Sequence, residues 1–468
     1  MHRKLHSVGA LSGQKIVRAD PREVMVSDVQ FADGIIMEPL GDGGPSGQSH
    51  LLVWNGERVE IATQFTHDDV TYVPATIDPR IVRGVRFPKG AASFGSTGEL
   101  FADVSQLFSR ATRLPDTTVE RFASFVFEDQ FADLLTYPPL LWVIAPSTAS
   151  TGFLLQLLAR LCRHSLILTE LNLTALRATP LQLKPTIIAE VSSVSNSLIR
   201  ALRASSRRDV FDASGGKLRD LSCARVVIAN QPLRDPALAG FPLEIALSPT
   251  PVLVPSTDLI EAERVASQLF MYRLVNINRF RESETKFSNL TGPTQQLARS
   301  LAACIFDDEQ LQSRIATLLM PQDKEIQVDR TTTLESIVVE ALLARCHDNQ
   351  SPMFSVGGLT KSVNTILVGR GELTQVPPEV VGWRLRSLGL RTEFVSDGRK
   401  GLIIGEETRS YIHQLASDYG VRTLNQGTAI NLCKHCRSLA QFQNEPGLRP
   451  ISCKSGSPED AQKRRGVN

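Results

Sequence analysis

Leu140-Leu141-Trp142-Val143-Ile144-Ala145-Pro146-Ser147-Thr148-Ala149-Ser150-Thr151-Gly152-Phe153-Leu154-Leu155-Gln156-Leu157-Leu158 is the stretch on which the reading of this chain turns. A five-residue apolar run, a turn of small residues and a leucine-rich stretch at helical spacing spell strand, turn, helix. That order is the frame of a phosphate-binding loop, G-x-x-x-x-G-K-[ST]. There, backbone N–H groups and a helix N-terminus wrap the phosphates, the Lys reaches the β/γ oxygens and the hydroxyl binds Mg²⁺. Set against that pattern, Ala145 and Ser150 replace the two glycines. Thr151 stands where the Lys belongs and Gly152 where the hydroxyl belongs. With no cation at the γ-phosphate, most of the electrostatic stabilisation of phosphoryl transfer is lost, so hydrolysis is not expected.

Two neighbouring segments extend the picture. After Lys184-Pro185 the run Thr186–Ala189 leads to Glu190-Val191, where an active ATPase carries Asp-Glu. Glu190 retains the chemistry to hold Mg²⁺, but no second carboxylate follows to orient water; a surface Glu at a strand end is the plainer reading. A third run, Val226–Ala229, ends at Asn230, the place for a polar residue sensing the γ-phosphate; a turn Asn before Gln231-Pro232 is the plainer reading. Arg207, Arg208 and Arg234 are candidates for arginines reaching a phosphoryl group, against simple solvated charge. The nucleotide-binding candidates are thus Ser150, Thr151, Gly152, Glu190 and Asn230, all in degenerate form. Gly43–Ser49 is richer in glycine, but it precedes a strand and has no Lys, so it reads as a loop.

Around this centre the chain reads as five regions. Residues 1–95 are β-rich: Leu51–Trp54, Asn55-Gly56 and Val59–Ala62 form a hairpin, Thr71–Val73 adds a strand, and Pro88–Ser96 is a linker. Residues 96–255 are an α/β domain. Its helices carry Leu100, Val104, Leu107 and Phe108, then Val119, Phe122, Phe125 and Val126. Its parallel strands are Leu140–Ile144, Ser165–Leu168, Thr186–Ala189 and Ala224–Ala229. Residues 256–350 are helical (Ala262–Leu269, Gln296–Ile305, Gln310–Leu319, Leu334–Arg345). Residues 353–425 form a small α+β module, and 426–468 a flexible polar tail.

Composition excludes rather than selects. Of 468 residues 42% are hydrophobic and 21% charged, and the net charge of +2 implies no particular partner. Seven cysteines are too few for a disulfide scaffold at this length; Cys162, Cys223, Cys304 and Cys346 in apolar surroundings suit a reducing cytoplasm. Met1–Gly13 has no signal-peptide core, and no apolar run is long enough to span a bilayer, so no membrane partner is expected.

In the C-terminal module Val356–Leu367 and Pro377–Gly389 read as helices, the second opened by Pro-Pro and closed by Gly. Arg391–Val395, the turn Asp397–Gly401 and Leu402–Gly405 follow as a hairpin, the pattern of a winged helix. Arg384, Arg386, Arg399 and Lys400 are its candidate DNA contacts. Eight Lys/Arg against six Asp/Glu in residues 356–413 leave DNA and a protein partner equally open. Cys433-Lys434-His435-Cys436 has the C-x-x-C spacing of a zinc knuckle, with Cys453 as a third ligand. A fourth is wanting: His435 is awkwardly placed between the cysteines and His413 is distant. Zinc and two unliganded thiols both remain open.

The order of segments resembles a group of bacterial P-loop proteins similar to the primase–helicase ATPases of phages and plasmids. The resemblance runs from about residue 70 to 440. It is carried by Leu100–Asp103, Leu114-Pro115, Phe131–Asp133, Pro138–Val143, Leu161–His164, Lys184–Ile188, Ala201–Arg203, Leu269–Leu274, Gly382–Gly389 and Ile412–Ala416. It implies a P-loop NTPase fold with a C-terminal winged helix and work on or near DNA. With its loop eroded, this chain is expected to be a pseudo-ATPase scaffold, needing no ATP or Mg²⁺ and acting through DNA, a protein partner or an intact relative. The alternative is a weakly nucleotide-binding ATPase or helicase-type enzyme.

Overall fold

The computed structural model describes residues 23–26, 28–41, 49–74, 84–146, 151–213, 216, 218–235, 237–238, 241–247, 257–282, 285–347, 353–372, 375–394 and 400–421. Ser150, Arg399, Cys433, Cys436, Cys453 and the Gly43–Gln48 segment lie outside the described residues, as does the tail read from 426 on. The chain divides into two units, Met1–Ile326 and Gln327–Asn468.

The first unit opens on β1 (Glu23–Val26), β2 (Val29–Gln30), β3 (Ile36–Gly41), β4 (Ser49–Trp54), β5 (Val59–Ala62), β6 (Phe65–His67) and β7 (Val70–Pro74). These make two small sheets, β2-β3-β4-β5 and β1-β7-β6. The β4–β5 hairpin has Trp54 opposite Val59. Only Gly56 takes a positive φ, +93°. Asn55 acts instead through its side chain, which accepts from the N–H groups of Glu57 and Arg58.

The centre of the unit is a six-stranded sheet, ordered β15-β9-β14-β11-β10-β8. Its strands are β8 (Val85–Arg86), β9 (Leu140–Ile144), β10 (Ser165–Leu168), β11 (Ile187–Val191), β14 (Arg225–Ala229) and β15 (Leu243–Ala246). All neighbours are parallel except β8, which runs antiparallel to β10 at the edge. A minor pair, β12 (Phe211–Asp212) and β13 (Arg219–Asp220), stands apart from it. The sequence reading missed β15 and β8. β15 is four residues long with Glu244 in the middle, and β8 is only two, too short for periodicity to register.

Alternation along the strands builds two cores. Leu141, Val143, Ile188, Val226 and Ile228 face one layer of helices. That layer holds α1 (Thr97–Thr112), α2 (Asp116–Asp129), α3 (Gly152–Leu161), α6 (Thr257–Asn276), α7 (Gly292–Ala303) and the start of α8 (Glu309–Thr331). Leu140, Trp142, Ile187, Ala189, Val227 and Ala229 face the other, thinner layer, with α4 (Leu173–Ala178) and α5 (Asn196–Ser205). The helical region therefore does not stand apart as a domain of its own. The Pro88–Ser96 stretch is no free linker either, because Ala92 N–H donates to Ser267 O and Gln268 Nε2 to Ser93 O, strapping it to α6. Ser96 closes it as the N-cap of α1, in a reciprocal box with Glu99.

The second unit contains α9 (Leu334–His347), β16 (Met353–Ser355), α10 (Val356–Gly369), α11 (Pro378–Ser387), β17 (Glu393–Phe394), β18 (Lys400–Ile403) and α12 (Glu406–Asp418). The strands form an antiparallel sheet in the order β16-β18-β17. α9 supplies Val338, Val339 and Leu342 to the core shared with Val363, Val381, Leu385 and Ile412. The boundary read at about 350 thus moves ahead of α9, because that helix buries its apolar residues with α10–α12.

Candidate functional site

Strands β9, β14 and β11 end abreast. Ile144 lies opposite Ala229, and Ala229 opposite Val191. Ala145 N–H continues the ladder by donating to Ala229 O at 2.7 Å. From β9 the chain crosses through α3 on one face to β10; it then steps back through α4 and α5 on the other face to β11 and β14. Reversal of direction opens a crevice at the carboxyl ends of these strands, where open α/β sheets bind ligands.

Four of the expected residues, Thr151, Gly152, Glu190 and Asn230, stand on that edge. Thr151 is buried and precedes the first turn of α3, and its hydroxyl donates to Glu190 Oε1 at 2.7 Å. Glu190 itself is exposed. Asn230 follows β14 directly and is also exposed; the next carbonyl, Gln231 O, accepts from the Trp142 indole N–H at 3.0 Å. Gly152 opens α3 with open space where a Cβ would stand. The motif alignment puts Thr151 in the Lys place; in the fold its hydroxyl meets the strand-end carboxylate of Glu190. The turn from Ala145 to Gly152 contains no Lys or Arg.

Beyond Asn230 the same edge carries a groove of about 640 Å³. Asn196, Arg200 and Arg203 of α5 line it, with Gln231, Arg234 and Asp235 after β14. Arg203 grips Asp235 bidentately, at 2.7 and 3.2 Å. Arg207 and Arg208, by contrast, follow the far end of α5. Arg208 donates to Ala132 O and Arg207 lies 6.0 Å over Tyr137, so neither faces the crevice. α5 runs the depth of the sheet, which separates them from Arg200.

The opposite edge of the sheet holds the strongest electrostatics in the described chain. Arg273 of α6 is 1% exposed and donates to Glu38 of β3 at 2.5 Å and to both Asp133 oxygens at 2.6 and 2.8 Å. Arg163 reaches Glu38 at 3.3 Å, and its N–H donates to Asp129 at 2.6 Å. Burial alone would raise the Asp133 carboxyl, but Arg163 and Arg273 hold it well below the usual range. At Asp129 burial wins instead and pushes the carboxyl up to about 6, despite hydrogen bonds from Thr186 and the Arg163 backbone and the nearby charge of Arg163. Burial, with Arg163 beside it, depresses His164 to about 3. Several of these residues carry the sequence resemblance, but nothing in their spacing announced that they meet.

In the second unit the candidate cations divide. Arg384 is tied to Glu335 of α9 and stacks 4.6 Å over Trp383. Arg386 is exposed. Lys400 is exposed and sits 5.6 Å over Phe394, itself 75% exposed. Among the described residues no helix is long and apolar enough to cross a membrane, and no three His, Cys, Asp or Glu side chains gather as a metal site.

No family model matches the chain, and no curated protein matches it. Among solved structures it is similar to the apo A form of the NrS-1 C-terminal region, at 11% identity over 80% of this chain and 97% of that one, with a TM-score of 0.32. It is also similar to Drosophila ORC bound to DNA (14% identity, 63% and 85% covered, TM-score 0.17). Cdc6p from Pyrobaculum aerophilum matches at 13% identity over 68% and 99%, with a TM-score of 0.19.

Proposed function

We propose that this chain is an ATPase-like scaffold that does not hydrolyse ATP and acts through its C-terminal module on DNA. The observation behind this reading is the Thr151–Glu190 contact at the crevice where β9, β14 and β11 end. It is the hydroxyl–carboxylate pair of the Mg²⁺ end of a nucleotide site, left beside a turn without any cation for the phosphates. If Thr151 is the hydroxyl of the motif, Ser150 occupies the place of the Lys. Mg-ATP at 5 mM is expected to leave the melting temperature within about 1 °C of the apo value, against several degrees for ligand at 100-fold its Kd. Release of phosphate above a boiled control would overturn the scaffold reading.

A second reading has one observation in its favour, the arginine-lined groove beside Asn230. Arg200 and Arg234 would bind phosphate there without the loop Lys, making the chain a weak nucleotide binder. In that case ATP stabilises the wild type, and Arg200→Ala with Arg234→Ala abolishes the shift.

For the C-terminal module, the order α9, β16, α10, α11 and then the β17–β18 hairpin supports a winged helix with α11 presented to the major groove. Arg386 and Lys400 are its available cations, while Arg384 is already paired with Glu335. Arg386→Ala and Lys400→Ala should each weaken duplex binding and lower the salt slope by about one, with Arg384→Ala weaker in effect. Wild-type protein running with a neutral control on a low-salt DNA column would move the module to a protein partner instead.

A further inference from the structure

The first unit holds a second hollow, at the end of the sheet away from the crevice. A cavity of about 480 Å³ opens where β9 and β14 begin, with Pro139, Leu140 and Arg225 on the sheet side. Leu135, Tyr137, Leu238 and Phe241 give it apolar walls, the Tyr137 and Phe241 rings standing 5.4 Å apart. That size, and a mostly apolar lining with a few polar groups, suit a small molecule.

Two charged side chains line its inner end. Glu128 is 2% exposed, and Ser300 Oγ donates to its Oε1 at 2.5 Å. The other oxygen, Oε2, has no hydrogen-bond partner among the described residues. Burial pushes this carboxyl up to about 8, so at neutral pH it keeps a proton. Since Oε1 accepts from Ser300, that proton belongs on Oε2, and Glu128 offers the cavity a donor. Arg225 is 1% exposed and donates to the carbonyls of Leu202, Pro138 and Pro139 and to Ser205 Oγ. No carboxylate among the described residues bonds to it, so its charge stands uncompensated in the floor.

The mouth has the same bias. Lys286 is exposed and Arg299 half-buried, and neither pairs with a carboxylate among the described residues. Arg299 donates instead to Thr285 O and Gln295 Oε1, at 3.0 Å each. Glu282, the carboxylate on this rim, already accepts the Thr136 N–H at 2.8 Å. Cations therefore outnumber ionised carboxylates around the cavity, which favours an anion and disfavours an amine.

We propose that this cavity binds a small organic anion with a flat apolar body and a hydrogen-bond acceptor opposite its charge. The acceptor takes the hydrogen bond from Glu128, and the ring lies against Tyr137 and Phe241. The charge stays hydrated beside Lys286 and Arg299. One molecule thus satisfies the unpartnered oxygen inside and the unpaired cations outside. The site is separate from the crevice of Thr151 and Glu190, at the opposite ends of β9 and β14, and stands whether or not ATP binds there.

Titration of the full chain at neutral pH with 4-pyridylacetate, whose ring nitrogen lies opposite its carboxylate, is the test. Phenylacetate has the same charge and no acceptor; 4-picolylamine has the acceptor and the opposite charge. The pyridyl acid should bind about three- to tenfold more tightly than phenylacetate, the worth of one hydrogen bond, and the amine should not bind. Lys286→Ala should weaken both acids alike, and Glu128→Leu should erase the difference between them. A difference that persists in folded Glu128→Leu, an amine that binds as well as the acids, or no binding of the pyridyl acid by about 10 mM would overturn the proposal. Should Glu128→Leu not fold, the three probes on the wild type decide: equal affinity for the two acids would reject Glu128 as the donor.

Discussion

The two edges of the central sheet are built on opposite terms. At the carboxyl ends of β9, β14 and β11, one hydroxyl–carboxylate bond joins Thr151 to an exposed Glu190, and few groups depend on it. At the other edge Glu38, Asp133, Arg163 and Arg273 interlock in the core, each holding the charge of the next. A ligand site carries its polar groups exposed and unsaturated, ready to exchange water for substrate. A buried ion network must be complete, since removing one member strands the others in a low dielectric. The edge that resembles a site is therefore cheap to alter, and the edge that resembles none is not.

The largest expected effect breaks the buried edge. Arg273→Met should destabilise the protein by about 3–5 kcal/mol in urea unfolding, because Glu38 and Asp133 lose their shared cation. A loss under about 1 kcal/mol would mean that the network is hydrated and the contrast false. Next comes a pH effect. Glu128 of α2, fully buried beneath Ser300, is pushed by burial up to about 8. A carboxyl raised in the fold keeps its proton there, so its contribution is present below the unfolded value near 4.5 and fades as pH rises through about 8. Asp129, raised to about 6, acts with the same sign over a lower window. Wild-type stability should therefore fall between about pH 5 and 8, and Glu128→Gln should flatten that slope; an unchanged slope assigns the titration elsewhere. The smallest effect is at the open edge, where Thr151→Ala should cost under about 1.5 kcal/mol, the worth of one hydrogen bond. A larger cost would show that the contact supports α3 structurally rather than being the remnant of a ligand site.

Much of the scaffold was legible beforehand. β9, β14 and β11 up to Ala189 are buried on both faces, so each appears as an apolar run whatever surrounds it, and β10 is apolar in sequence although Ile167 is half exposed. The helices bearing Leu100, Phe108, Phe122 and Val126 show their buried stripe at local spacing. The short edge strands did not register, and the motif alignment gave no sign that Thr151 meets Glu190, because a side chain's contacts depend on what packs across space rather than on its offset from a glycine.

The sequence by itself determined the alternation of strands and helices, the absence of any cation from the Ala145–Gly152 turn, and the cysteine pair in the tail. Periodicity and composition are local properties and need no partner to be read. Only the tertiary structure decided that Thr151 meets Glu190, that Arg207 and Arg208 sit at the wrong end of α5, that Arg384 is spent on Glu335 and that Glu128 meets Ser300. Each of these joins residues well separated in the chain. Pairing across such a separation is set by how the elements pack, and no single segment encodes it.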